Sequence, residues 1–291
     1  MTNQGKHNVD LAFTQSFSEL RVEYDEKLEA IWLYMKGAPR PCFTMNLLNE
    51  LEALYSQLSK MEGVHYLVAC SDIPNVYNLG GDLSLFLEHI EQGEREKLRE
   101  YAYACIGCIY GSAIQITHGI TTIALVQGSA LGGGFEAAAS CNVIIAEENA
   151  RLGFPEILFN LFPGMGAYSI LSRKTSVNQT EKMVLSGEQY NSVALHEMGV
   201  VDVLAKDGEG KQVVKEYIAE HRKQRRTRVA IYQARMRLNP MTMEELRDIA
   251  DIWVDAAMDT DEESLVVMRR LVRAQDRKLA TKKLLEKVSN G

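Results

Sequence analysis

From Tyr101 to Phe135 the chain contains no Asp, Glu, Lys or Arg. Charged residues fill 24% of the 291 positions, so a stretch this long without one has to be withdrawn from water. A membrane or a protein interior could do that. A spanning helix needs about 20 consecutive, mostly apolar residues, and here Ser112, Gln115, Thr117, His118, Gly119 and the glycines from Gly128 onward break the run. The segment is therefore read as interior, around which the rest of the fold has to wrap. Met1–Asp10 is polar and lacks the apolar centre of a secretory signal. Five cysteines (Cys42, Cys70, Cys105, Cys108, Cys141) form an odd set without framework spacing, which predicts a reducing, cytoplasmic setting.

The flanking segments say what does the wrapping. Leu20–Tyr24 and Ala30–Met35 bracket Asp25-Glu26-Lys27 and read as an opening hairpin. Leu48, Leu51, Leu54, Leu58 and Met61 recur at helical spacing. Val64–Cys70, Thr121–Val126 and Asn142–Ala146 are short apolar strands rich enough in β-branched residues to be buried on both faces, and Glu94–Ile116 is a long helix. This alternation, which runs to about residue 205, predicts an α/β fold with a parallel or mixed sheet. After Asp207-Gly208-Glu209-Gly210 only helical periodicity remains, with Thr260-Asp261-Glu262-Glu263 spaced as a capping box. The expected division is a core at 1–206 and a helical region at 207–291.

With 32 basic against 39 acidic side chains the net charge is −7, which argues against a nucleic-acid binder. The six histidines are scattered without ligand spacing, and there is no Walker loop, GxSxG elbow or dinucleotide fingerprint. No metal and no cofactor is expected. Cys105-Ile-Gly-Cys108 matches CxxC but lies in an apolar helix with no second pair, and reads as buried and inert rather than as a redox or zinc site.

Two loops place glycines beside an acid: Tyr77-Asn78-Leu79-Gly80-Gly81-Asp82, and Gly128-Ser129-Ala130-Leu131-Gly132-Gly133-Gly134-Phe135-Glu136. Glycines leave backbone N–H groups uncovered, and at a helix start those amides suit a developing negative charge. Tight packing in a strand-to-helix turn is the other reading of the same glycines. Glu136 opens an otherwise apolar helix, and Glu156 sits in Gly153-Phe154-Pro155-Glu156-Ile157-Leu158-Phe159. An acid in such surroundings is either paired or kept for proton transfer. The 20 residues between them allow a strand and a return that would face the two carboxyls together.

These motifs, in this order, resemble the signature of the crotonase (enoyl-CoA hydratase/isomerase) superfamily over roughly Leu20–Arg277. Within it the chain is similar to the bacterial diffusible signal factor synthases of the Rpf type. That likeness is carried by Asn78-Leu79-Gly80-Gly81-Asp82-Leu83, Leu161-Phe162-Pro163-Gly164-Met165-Gly166-Ala167-Tyr168-Ser169, Ile252-Trp253-Val254-Asp255 and Leu271-Val272-Arg273-Ala274-Gln275. The chain departs from typical hydratases, which have an alanine-rich first loop where this one has Leu79-Gly80-Gly81.

The resemblance implies a spiral of ββα turns and a helical region that assembles homo-oligomers and lines an acyl tunnel. It implies an oxyanion hole from the Gly81 and Gly133 amides, with Glu136 and Glu156 as acid and base in either order. It also implies a 3-hydroxyacyl substrate on acyl carrier protein or CoA, dehydrated and then released as a cis-2-unsaturated fatty acid signal. Trp253 and Leu271 are expected to line the acyl chain, or else simply to pack between helices; Leu131 and Phe135 are further lining candidates. Synthases of this type are held by a sensor kinase's receiver domain, which makes such a domain an expected partner. An ordinary enoyl-CoA hydratase and a crotonase-fold protein that mainly binds a partner are the alternatives. His221-Arg222-Lys223-Gln224-Arg225-Arg226-Thr227-Arg228 is either a solvated helix face or a landing surface for an acidic carrier.

Overall fold

The computed structural model describes residues 17–37 and 40–273. The strands among them are β1 (Leu20–Asp25), β2 (Ala30–Met35), β3 (Tyr66–Ser71), β4 (Asn75–Asn78), β5 (Thr121–Val126), β6 (Gly128–Leu131), β7 (Val143–Glu147), β8 (Arg151–Gly153), β9 (Gln189–Asn191) and β10 (Val203–Ala205). They form a larger sheet, β1-β2-β3-β5-β7-β10, and a smaller one, β4-β6-β8-β9. The expected hairpin is present as β1–β2, the only antiparallel pairing of the larger sheet among the described residues.

The helices among the described residues are α1 (Met45–Leu58), α2 (Leu83–Glu91), α3 (Arg95–Ile114), α4 (Gly133–Ser140), α5 (Ala167–Lys174), α6 (Val177–Ser186), α7 (Ser192–Glu197), α8 (Gly210–His221), α9 (Arg225–Leu238), α10 (Met243–Met258) and α11 (residues 262–273). The Thr44 hydroxyl caps α1 by accepting from the Leu47 N–H, and Leu47, Leu48, Leu51, Leu54 and Leu58 form its buried stripe. α3 ends at Ile114 and tightens into a 3₁₀ turn over Gln115–His118.

The larger sheet is covered on both sides, so β2, β5 and β7 are buried at every position. Successive residues of the pleat face opposite cores. Ile31, Leu33, Leu67 and Ala124 look toward α1 and α3, whereas Trp32, Tyr34, Val68 and Ile123 look toward Val214 and Ile218 of α8. The charge-free stretch supplies the buried side of α3, then β5, β6 and the start of α4, and is interior. After β10 every described element is a helix. α10 lies along α3 and buries Leu246, Ala250, Trp253, Val254 and Ala257. No helix among the described residues is long and apolar enough to cross a membrane.

The smaller sheet positions the site. β4, β6 and β8 run parallel, with Asn78 opposite Ala130 and Leu131 opposite Gly153. The chain leaves β4 into Gly80-Gly81, leaves β6 into Gly132-Gly133 and leaves β8 toward Glu156. Three loops thus emerge side by side at one end of three paired strands.

Candidate active site

These loops open onto a cavity of about 300 Å³. Gly81, Leu131, Gly133, Glu136, Glu156, Trp253 and Leu271 all line it. So do residues that the sequence reading did not single out as site residues, among them Leu79, Phe86, Tyr101, Ala102, Cys105, Ser129, Gly132, Met165 and Gln189.

The two glycine amides are aimed by what their own peptides do. The Gly80 carbonyl accepts from the Phe43 N–H at 2.8 Å. In a trans peptide the N–H points opposite to the C=O, so the Gly81 N–H is turned away from Phe43. The Gly132 carbonyl accepts from the Phe135 and Glu136 N–H groups at 2.9 and 3.0 Å, so the Gly133 N–H projects from the amino-terminal end of α4. Among the described residues neither amide donates to a protein acceptor. A Cβ at Gly80 would stand 3.0 Å from the Gly133 nitrogen, which brings the two loops into van der Waals contact. Gly132, at φ +52, would place a Cβ 2.1 Å from the Glu156 Oε1, so a side chain there is excluded both by strain and by the carboxylate.

Glu136 lies in the first turn of α4 and is 1% exposed. Its Oε1 accepts from the Ala167 N–H at 2.7 Å. Burial, then the nearby Glu156 charge, hold its pKa well above the ordinary carboxylate range, and the amides of Ala167, Met165 and Gly166 only partly offset this. Glu156 opens the 3₁₀ turn Glu156–Phe159. Its Oε2 is buried without a hydrogen-bond partner, and burial pushes its pKa up to about 8. An orphaned carboxylate oxygen in a cavity wall is rare in folded proteins and costly to keep. Both acids are thus held toward their neutral forms, and a charge on Glu156 opposes one on Glu136.

The apolar wall is a run of ring contacts. Phe86 meets Tyr101 edge-on at 5.3 Å and Trp253 at 5.0 Å between centroids. The Trp253 indole packs on Gly164, where a Cβ would come within 2.5 Å of it. Phe135 does not line this cavity, contrary to expectation. It is fully buried and stacks on Phe154 at 4.9 Å. On a helix residues three apart share a face, so Gly133 and Glu136 reach the cavity while Phe135 is turned into the core.

The basic cluster does not border the cavity. Arg222 lies 3.2 Å from the Glu29 carboxylate, and Arg225 donates to the Gly119 carbonyl. Glu29 and Gly119 precede β2 and β5, the far end of the larger sheet from the connections into the smaller one. Cys105 and Cys108 are buried free thiols, with burial raising both pKa values, Cys108 to about 12. Among the described residues no group of three or more His, Cys, Asp or Glu side chains could hold a metal ion.

Uncovered amides and buried carboxyls thus share one apolar slot. A sequence profile of the enoyl-CoA hydratase/isomerase family matches residues 38–263, and the chain belongs to that family. It is 44% identical over 86 residues to the 2,3-dehydroadipyl-CoA hydratase of Escherichia coli (strain K12), covering 29% of this chain and 34% of that protein. It is 26% identical over 175 residues to the "Probable enoyl-CoA hydratase" of Bacillus subtilis (strain 168), covering 60% and 65%. The chain thus spans less than two thirds of the length of either relative.

Solved structures agree on the fold. The enoyl-CoA hydratase of Bacillus halodurans superposes with a TM-score of 0.72 at 20% identity, over 87% of this chain and 100% of that one. DspI of Pseudomonas aeruginosa superposes with a TM-score of 0.65 at 21% identity, over 92% and 97%.

Proposed function

We propose that this chain dehydrates a medium-chain 3-hydroxyacyl thioester on acyl carrier protein and then hydrolyses the thioester, releasing a cis-2-unsaturated fatty acid of the diffusible-signal-factor class. The observation that carries the reading is that two protonation-tuned carboxyls and two uncommitted glycine amides share one apolar cavity. Its likeness to the signal-factor synthases over the Gly80-Gly81 loop, Leu161–Ser169 and the Trp253 and Leu271 segments supports the substrate class. The five buried free cysteines support a cytoplasmic setting.

In this reading the two acids start in opposite protonation states, since a charge on one opposes a charge on the other. Ionised Glu156 takes the α-proton, and the charge that develops on the thioester oxygen is received by the Gly81 and Gly133 amides, each worth about 10²–10³ in rate. Neutral Glu136 protonates the departing 3-hydroxyl, which leaves as water. At that point Glu156 is neutral and Glu136 ionised. Glu136 then takes a proton from the water that attacks the thioester carbon, and Glu156 protonates the departing thiol. The second half-reaction restores the starting protonation of both acids, so one pair serves both steps.

The hydratase reading uses the first half in reverse on an enoyl-CoA, and family membership favours it. Retention of both glutamates speaks against a protein that only binds a partner. Incubation with a 3-hydroxyacyl carrier thioester and with an enoyl-CoA, followed by mass spectrometry, separates the two catalytic readings. Free enoic acid from the first supports the proposal, whereas only hydroxyacyl-CoA from the second would replace it with hydration.

A further inference from the structure

Tyr101 lines the cavity but commits its hydroxyl to the backbone. The hydroxyl donates to the Phe43 carbonyl at 2.6 Å and accepts from the Asp82 N–H at 3.0 Å. Phe43 and Gly81 face one another as a parallel bridge, in which the Phe43 N–H already holds the Gly80 carbonyl at 2.8 Å. The phenol oxygen links the other half of that bridge. Both peptides that flank the Gly81 Cα are thereby tied to Phe43, one directly and one through Tyr101. The ring is fixed in turn by its edge contact with Phe86. Phe86 packs so closely on Gly81 that a Cβ there would lie 2.5 Å from its Cζ.

We infer that Tyr101 is a positioning residue whose hydroxyl sets the direction of the Gly81 amide toward the acyl oxygen. The inference rests on Gly81 acting as that donor, but not on which reaction follows. Without the hydroxyl, the Phe43 carbonyl and the Asp82 N–H lose their shared partner. They are then left unpaired or close on each other across the space of one oxygen, and either outcome moves the loop that carries Gly81. A displacement on the order of 1 Å can cost about 10²-fold in rate.

The test uses Tyr101→Phe in the full chain and a ketone analogue of a saturated acyl-CoA, in which a methylene replaces the sulfur so that no turnover occurs. Difference infrared spectroscopy of the ¹³C-labelled carbonyl reports its polarisation by the amides. The expected result is a C=O stretch lowered on binding to the wild type and lowered less by Tyr101→Phe, with analogue affinity changed by less than about threefold. Turnover should then fall about 10–100-fold in kcat with KM nearly unchanged. An equal lowering in both proteins, or none in the wild type, overturns the inference. A wild type that polarises the carbonyl but releases no enoic acid would refute the proposed function and leave the role of Tyr101 standing. Should Tyr101→Phe fail to fold, 3,5-difluorotyrosine at position 101 keeps the ring and hydroxyl while weakening its acceptance from Asp82. It should give an intermediate stretch, and an unchanged one refutes the role.

Discussion

Replacing Glu156 with Gln should remove activity and at the same time stabilise the folded chain, by an amount that grows with pH. The carboxyl titrates at about 8 in the fold against an ordinary value of 4.5. Below that ordinary value it is neutral whether the chain is folded or not, and it contributes nothing that depends on pH. As pH rises, the unfolded chain gains an ionisation that the cavity withholds, so stability is lost from about pH 4.5 until the folded group ionises near 8. A tenfold change in an ionisation constant is worth about 1.4 kcal/mol, which would bring the loss near 3 kcal/mol at pH 7. Glu156 is only half-buried, and screening by solvent reduces this to about 1–3 kcal/mol. Gln cannot ionise and escapes the loss. Urea unfolding of both proteins from pH 5 to pH 8.5 measures the difference from the midpoints, provided the slope m is unchanged. A stability difference that stays flat or shrinks as pH rises would show that the cavity does not resist ionisation of Glu156, and the assignment of base and acid would fall with it.

Other outcomes follow from the same geometry. Glu136→Gln and Glu156→Gln should each lower turnover of a 3-hydroxyacyl thioester by about 10²–10⁴-fold; near-full activity of both in a product assay would refute the acid–base pair. In the wild type, kcat/KM should rise as pH climbs through about 8 and Glu156 becomes the required base. A rising limb near 4.5 would contradict this. Gly164→Ala should push the Trp253 indole into the cavity, lowering kcat/KM for the longest accepted acyl chains more than for short ones in a chain-length series. Asp82→Ala removes the carboxylate that caps α2 at the Ser84 and Leu85 amides, and should cost about 1 kcal/mol in denaturant titration.

How far the site could be read in advance depended on the range of the interactions involved. Long elements such as α1, α3 and β5 announce themselves because their periodicity repeats several times within one segment. Glu136 and Glu156 were conspicuous because a charge in an apolar context needs a reason. The smaller sheet was missed. Arg151–Gly153 and Gln189–Asn191 are three residues each, too short for any alternation to be distinguished from chance, although they hold the three loops in register. Phe135 was misplaced because the face a helical residue takes depends on where the helix begins, and α4 begins one residue past a glycine at φ +52. Tyr101 carried no local signal, since its partners lie 58 and 19 residues away along the chain. The cluster from His221 to Arg228 showed its charge but not which end of the sheet it would occupy.

The slot that holds the two carboxyls is completed by Trp253 and Leu271, more than a hundred residues after Gly133 and Glu136. At translation rates of about 5–20 residues per second, the glycine loops leave the ribosome on the order of ten seconds before their covering helices. During that interval the glycine amides and the carboxyls of the nascent chain have no apolar enclosure. On the proposed function, competence arrives late in synthesis, and a chain cut short before α11 should keep its sheets while losing its grip on a fatty substrate.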